Sequence, residues 1–180
     1  MAATLTSKIT VLLNSLLQNT VGVAAADGKV DVSFLFPLLT GTGANQADKL
    51  YTTQITRTHG SPAGDIDLAG TVTDPLGQTI TMARIKAIII SAASTNVNSV
   101  VVGGGDPASA ISTIFFDYAA TALAQPAMKV RPGGLLVLVA PAATAYVVTA
   151  TTADKLQIAN GDEDATTSVT ADVYIIGASA

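Results

Sequence analysis

The chain has 180 residues, of which 49 % are apolar and only 12 % charged, with a formal charge of −4 and no cysteine. This length suits one domain, or one domain plus an arm. The missing cysteines exclude disulfides, iron–sulfur clusters and thiolate zinc sites, and nine scattered Lys and Arg offer no patch for nucleic-acid phosphates.

The first segment, "MAATLTSKITVLLNSLLQNTVGVAAADGK", has the outline of a secretory signal, but Asn14, Ser15 and Gln18 interrupt its apolar stretch and cleavage is not expected. Ile9, Leu12, Leu13, Leu16 and Leu17 fit a helical template with Thr6 or Ser7 as N-cap, while "KITVLL" equally suits a strand. Helix or strand therefore stays open for residues 6–18. "VDVSFLFPLLTGTGANQAD" reads as a short strand and a glycine-rich loop. Residues 1–45 form an N-terminal arm or first strands, and residues 46–180 the main domain. An arm of this kind is an ordinary device for clasping a neighbouring subunit.

In the main domain "LYTTQITRTH" alternates, with Leu50, Thr52, Gln54 and Thr56 on one face and Tyr51, Thr53, Ile55 and Arg57 on the other. "ARIKAIIISA" is a central strand, "NSVVVGG" another and "STIFFDYA" a third. Pro132, Gly133 and Gly134 launch the buried strand "LLVLVA", which Pro141 stops; "TAYVVTATTA", "DKLQIAN" with its Asn160-Gly161 turn, and "TSVTADVYIIGA" complete what looks like a meander. The uncharged run from Pro132 to Ala153 is long enough to span a bilayer, but its prolines and glycines spoil a helix, and no membrane partner is expected. Turn signals every 8 to 12 residues or so indicate an all-β sandwich or barrel; an antiparallel β-sandwich is the expected class.

Each hint of chemistry has a plainer explanation. Gly103, Gly105 and Ala108 have the spacing of a dinucleotide turn, but the following "SAISTIFFDY" is no helix, so a strand-to-strand loop is expected. Asp65, Asp67 and Gly70 sit in partial calcium-loop register, with Ala69 and Leu76 where oxygen ligands are needed. Asp162, Glu163 and Asp164 read as a solvated hairpin tip. His59 is the single histidine, which excludes a multi-histidine metal site, and Ser61 in "HGSPAG" lacks the setting of a nucleophile. No catalytic residue, cofactor or metal is expected, and the chain is read as non-enzymatic.

The aromatic residues bear on assembly. Phe34 and Phe36 flank Leu35, and Phe115, Phe116 and Tyr118 form "FFDY"; adjacent rings on a strand face opposite sides. Core packing accounts for them simply, whereas an exposed ring anchors an interface. These six are the candidate interface residues.

The order "GTGANQADKLYTTQITRT", "DIDLAGTVTDPLGQTITMARIKAIIISAAS", "VVVGG", "KVRPGGLLVLVAP", "TATTADKLQIANGD" and "VYIIGA" resembles small β-rich structural proteins of tailed bacteriophages, over Gly41 to Gly177. The resemblance implies a jelly-roll-like fold and a virion component: a decoration or cement protein on the capsid surface, made in the host cytoplasm. Its implied partners are copies of itself, as dimer or trimer, and the major capsid protein. A tail or fibre component attaching to host-surface glycans is the alternative, and the scarcity of aromatics, 4 % with no tryptophan, counts against it.

Overall fold

A computed structural model describes residues 4–21, 24–61, 64–70, 72–105, 108–111, 114 and 127–180. Among these the chain is all-β, and its strands pair almost entirely antiparallel. The open alternative at the N-terminus is settled as strand. β1 (Ser7–Val21) and β2 (Ala24–Thr40) form one unbroken antiparallel ribbon, from Ser7 opposite Leu38 to Val21 opposite Ala24. β2 is thus far longer than the short strand expected from Asp27-Gly28 and Pro37. An unbroken register past Pro37 places its nitrogen, which has no proton to donate, on the side away from β1. The two-residue β3 (Gln46–Ala47) adds in parallel to the end of β2.

The rest of the strands form two sheets. In the first, β6 (Arg84–Ala92) and β12 (Val169–Ala178) are central. β4 (Lys49–Arg57) lies on the far edge of β12, while β9 (Leu135–Val139) and β10 (Tyr146–Val147) share the free edge of β6. The second sheet runs β5 (Gly64–Asp67), β11 (Lys155–Asn160), β7 (Val100–Gly103) and β8 (Ala127–Val130). Among the described residues neither sheet closes into a barrel. The C-terminal third is therefore no meander: β9, β11 and β12 each pair with strands from elsewhere in the chain, because inward faces from two sheets must meet. The strand expected in "TAYVVTATTA" shrinks to Tyr146–Val147, and a tight turn closed by Thr149 and Ala153 takes over. The strand expected in "STIFFDYA" falls mostly outside the described residues.

One buried cluster draws on both sheets. Ile88 and Ile90 of β6 and Val169, Val173 and Ile175 of β12 meet Val100 and Val102 of β7 and Leu156 and Ile158 of β11. β-branched side chains dominate because they pack well on a pleated surface. The alternation foreseen in β4 holds, with Tyr51 and Ile55 in this cluster and Leu50 on the opposite side. A bulge interrupts β6: Ile176 opposes Ala87 and Gly177 opposes Ile85, leaving Lys86 as the extra residue. The extra residue resets the alternation, so Ile85 and Ile88 both face the main core while Ala87 faces out.

Candidate interaction surface

The root of the ribbon is firmly built. Ile9 and Leu38, a near-opposed pair, bury against Ala47, Ala87 and Ile176, with Phe36, Leu50, Ile89 and Val139 packed around them. This small cluster covers one end of the first sheet's outer face. Backbone hydrogen bonds from Leu39 to Asn45 (2.9 Å), from Asn45 to Pro141 (2.7 Å) and from Asp48 to Gly177 (3.1 Å) lace root and body together.

Two side chains complete the joint. Lys86, wholly buried by the bulge, donates from its Nζ to the carbonyls of Gly43 (3.1 Å), Ala142 (2.6 Å) and Ala143 (3.4 Å). Burial, with Arg84 nearby, pulls its pKa below the ordinary lysine value. Asp48 accepts hydrogen bonds from the Ser179 N–H (2.8 Å) and hydroxyl (2.6 Å). Burial alone would raise the Asp48 pKa; the Ser179 bonds and Lys49 outweigh it and hold the carboxyl below its usual value. Both residues spend their polar atoms on the fold.

Beyond the root the ribbon is largely uncovered. Its register separates two faces. On the first, Ile9 opposes Phe36, Val11 opposes Phe34 and Leu13 opposes Val32, so consecutive cross-strand pairs are apolar on both strands; Ser15 with Val30 and Leu17 with Gly28 follow. On the second, Leu35 opposes Thr10, Leu12 opposes Ser33 and Leu16 opposes Lys29, so each leucine has a polar partner, and Lys29 pairs with Asp31 at 2.7 Å. Leu17 is 75 % exposed, Leu12 61 % and Phe34 55 %, with Leu13, Leu16, Val30 and Leu35 similarly open. Water meets large apolar side chains here on both faces.

Comparison of the chain with family models, with curated proteins and with solved structures finds no match. Its surface must therefore be interpreted on its own chemistry.

Of the sequence candidates, Phe34 and Leu35 stand exposed on opposite faces of the ribbon, and Phe36 is half-buried at the root. Phe115, Phe116 and Tyr118 lie outside the described residues. Sequence reasoning missed Leu12, Leu13, Leu16 and Leu17 as surface residues, because their spacing suits a helix whose apolar stripe would be buried.

The residues with catalytic potential are dispersed or occupied. His59 Nδ1 lies 2.9 Å from Asp162, while the Ser61 hydroxyl pairs with Thr58 rather than with the imidazole. Glu163 is exposed, but its carboxylate is engaged rather than free at a tip. It accepts the backbone N–H of Ser99 at 2.8 Å and faces Lys129 at 3.1 Å, and chiefly the Ser99 bond lowers its pKa to about 2. Asp164 is engaged by Thr166 through both N–H and hydroxyl, and Asp67 caps the Ala69 N–H. Among the described residues no three His, Cys, Asp or Glu side chains gather as a metal site. An open depression of about 780 Å³ lies beside the root, bordered by Leu5, Asp48, Lys49, Asp74 and Leu76; of its two carboxylates, Asp48 is committed to Ser179 and Asp74 accepts the N–H groups of Leu76 and Gln78. Also among the described residues, no helix is long and apolar enough to cross a membrane.

Proposed function

We propose that this chain is a non-enzymatic structural component of a tailed-bacteriophage virion, binding the capsid surface as a decoration or cement protein. The observation that carries this reading is the ribbon: a long, amphipathic, uncovered two-stranded projection fixed at its root to a well-packed body. An isolated two-stranded hairpin is marginal in water, and exposed apolar patches of this size mark interaction sites. The ribbon is read as the arm, and the two sheets as a jelly-roll-like β-sandwich that holds it out towards neighbours.

A cement protein needs no turnover. It acts by burying apolar area against assembled subunits, which favours the assembled state by mass action over many equivalent sites. Oligomerisation adds to this, since each further subunit docks at high effective concentration once the first is bound. The partners proposed are other copies of this chain and the major capsid protein, and the place is the outer shell of the particle. The order of turn and strand motifs from Gly41 to Gly177, which resembles that of phage structural proteins although no matched relative carries it, is the second ground for this reading.

The test is the position and copy number of the chain in purified particles, by cryo-electron microscopy with quantitative mass spectrometry. Copies following the shell lattice are the expected result. A handful at the tail would transfer the proposal to attachment or adaptor function, and absence from every particle would overturn it.

A further inference from the structure

We infer that the first face of the ribbon, carrying Val11, Leu13, Leu17, Val30 and Phe34, is a self-association surface whose occupant is the same face of a second copy. The inference rests on the ribbon being an assembly element and adds which partner meets which face.

Three observations select a second copy. The first is charge. Between Ser7 and Leu17, and between Gly28 and Leu38, the first face carries no ionisable side chain; Lys8, Lys29 and Asp31 all project from the second. Two chains of formal charge −4 can thus meet there without bringing like charges together. The only side-chain hydrogen-bonding groups on that stretch of face are the hydroxyls of Ser7 and Ser15. Such a face offers an unlike partner little polar register to recognise, whereas a two-fold axis sets register by symmetry.

The second is area. The exposed portions of those five side chains amount to roughly 500 Å² per copy, so a face-to-face pair would bury about 1,000 Å², the lower bound for a specific interface. The third is continuity. The face is already packed at its root, where Ile9, Phe36 and Leu38 lie on the outer face of the first sheet, and Val11 with Phe34 is the next rung along the same stripe. Stacking two ribbons as sheets pack, about 10 Å apart, continues that seam as a two-layer, four-stranded unit. Three or more strands with a covered apolar face are what a ribbon lacks alone. The second face, with its Lys29–Asp31 pair, stays outward.

Sedimentation equilibrium and light scattering on the purified full chain, across a dilution series, test this directly. Wild type is expected to give twice the monomer mass. Leu13→Asp with Phe34→Asp, both on the first face, should give monomer throughout. The matched pair on the second face, Leu12→Asp with Leu35→Asp, should retain the dimer. Thermal melting by circular dichroism checks that the body of each variant folds; should the double variant of the first face misfold, Leu13→Ser alone is expected to weaken dimerisation at least tenfold.

Wild type that is monomeric at every concentration overturns the inference. So does equal dissociation by both pairs, which would indicate edge-to-edge strand pairing or non-specific contact. Flotation of monomeric wild type with vesicles of phosphatidylethanolamine and phosphatidylglycerol would also overturn it, by making lipid the occupant. None of these outcomes depends on a particle. A first-face dimer absent from every virion would leave this inference standing while the proposed function fell.

Discussion

β1 and β12 are both long strands in which apolar residues recur at alternate positions, with Ser15 the one break between Ile9 and Leu17, yet they end in different surroundings. Along β12 the side chains of Val169, Ala171, Val173 and Ile175 are all buried. Along the first face of β1, Ile9 is buried while Val11, Leu13 and Leu17 are exposed. β12 has a neighbour on each edge and a second sheet across its inner face. β1 has one neighbour, and past Ile9 the large apolar side chains of its first face are exposed. Alternation specifies a strand with one apolar face; what covers that face is decided elsewhere in the chain or outside it.

The largest effects should separate these regions. Ile88→Ala leaves a cavity between the two sheets and is expected to cost about 2–5 kcal/mol in chemical denaturation. Leu17→Ala, measured on dilute monomer, should change stability by less than about 0.5 kcal/mol, because its side chain is already in water. A large cost at Leu17 in the monomer would mean that the ribbon packs on the body and that the contrast fails.

The joint between the regions gives the next largest effect. Lys86→Met keeps the apolar stem but removes the donor shared by the carbonyls of Gly43, Ala142 and Ala143. A loss of about 2 kcal/mol is expected, since buried acceptors stripped of a partner cost about 1–3 kcal/mol. Hydrogen exchange at the amides of Gly43 and Asn45 should quicken while that at Val173 stays slow. Equal quickening everywhere would show that Lys86 supports the whole fold rather than the root.

How far the sequence announces this contrast can be followed strand by strand. β4, β6, β9, β11 and β12 are legible because β-branched alternation or continuous apolar runs end at clear turn residues, such as Pro132-Gly133 before β9 and Asn160-Gly161 after β11. The strand order is not legible, since it depends on which inward faces fit together. The ribbon is only half-legible. Leucines at 12, 13, 16 and 17 satisfy helical and extended templates alike, and pairing with β2 decides between them. Asp27-Gly28 and Pro37 read as strand breakers, but a two-stranded ribbon tolerates both where its outer edges are free. Of the site, Phe34 and Leu35 could be named from their aromatic context; that they face opposite ways follows from period two. Lys86 could not be named. Its burial depends on a bulge set by the register between Ile176 and Gly177.

Within the body, a smaller effect tests whether β9 depends on its turn. Gly133 sits at φ +72°, where side chains are disfavoured, and its N–H reaches back to the Ala92 carbonyl at 3.1 Å. Gly133→Ala should cost about 1 kcal/mol, read as a lower thermal midpoint with the ribbon dimer unaffected. A neutral result would show that the turn relaxes without disturbing β9.

The smallest effect concerns pH and divides the regions by charge. The folded pKa of Glu163, about 2, lies below the ordinary 4.5. Between those values the unfolded chain binds more protons, so stability rises with pH there. The contribution is complete above about 4.5 and lost as pH falls through about 2. Glu163→Gln can still accept from the Ser99 N–H but lacks the charge, so its cost at neutral pH should match the part of the wild-type acid sensitivity between pH 4.5 and 2 that the variant no longer shows. Denaturation midpoints of both proteins across that range are the measurement, and parallel curves would refute the assignment. The ribbon dimer provides the internal contrast, because an association through a face with no ionisable side chain should carry no such dependence of its own. Dimer dissociation that tracks Glu163 protonation would place the acidic turn at the interface and move the seam away from Val11 and Phe34.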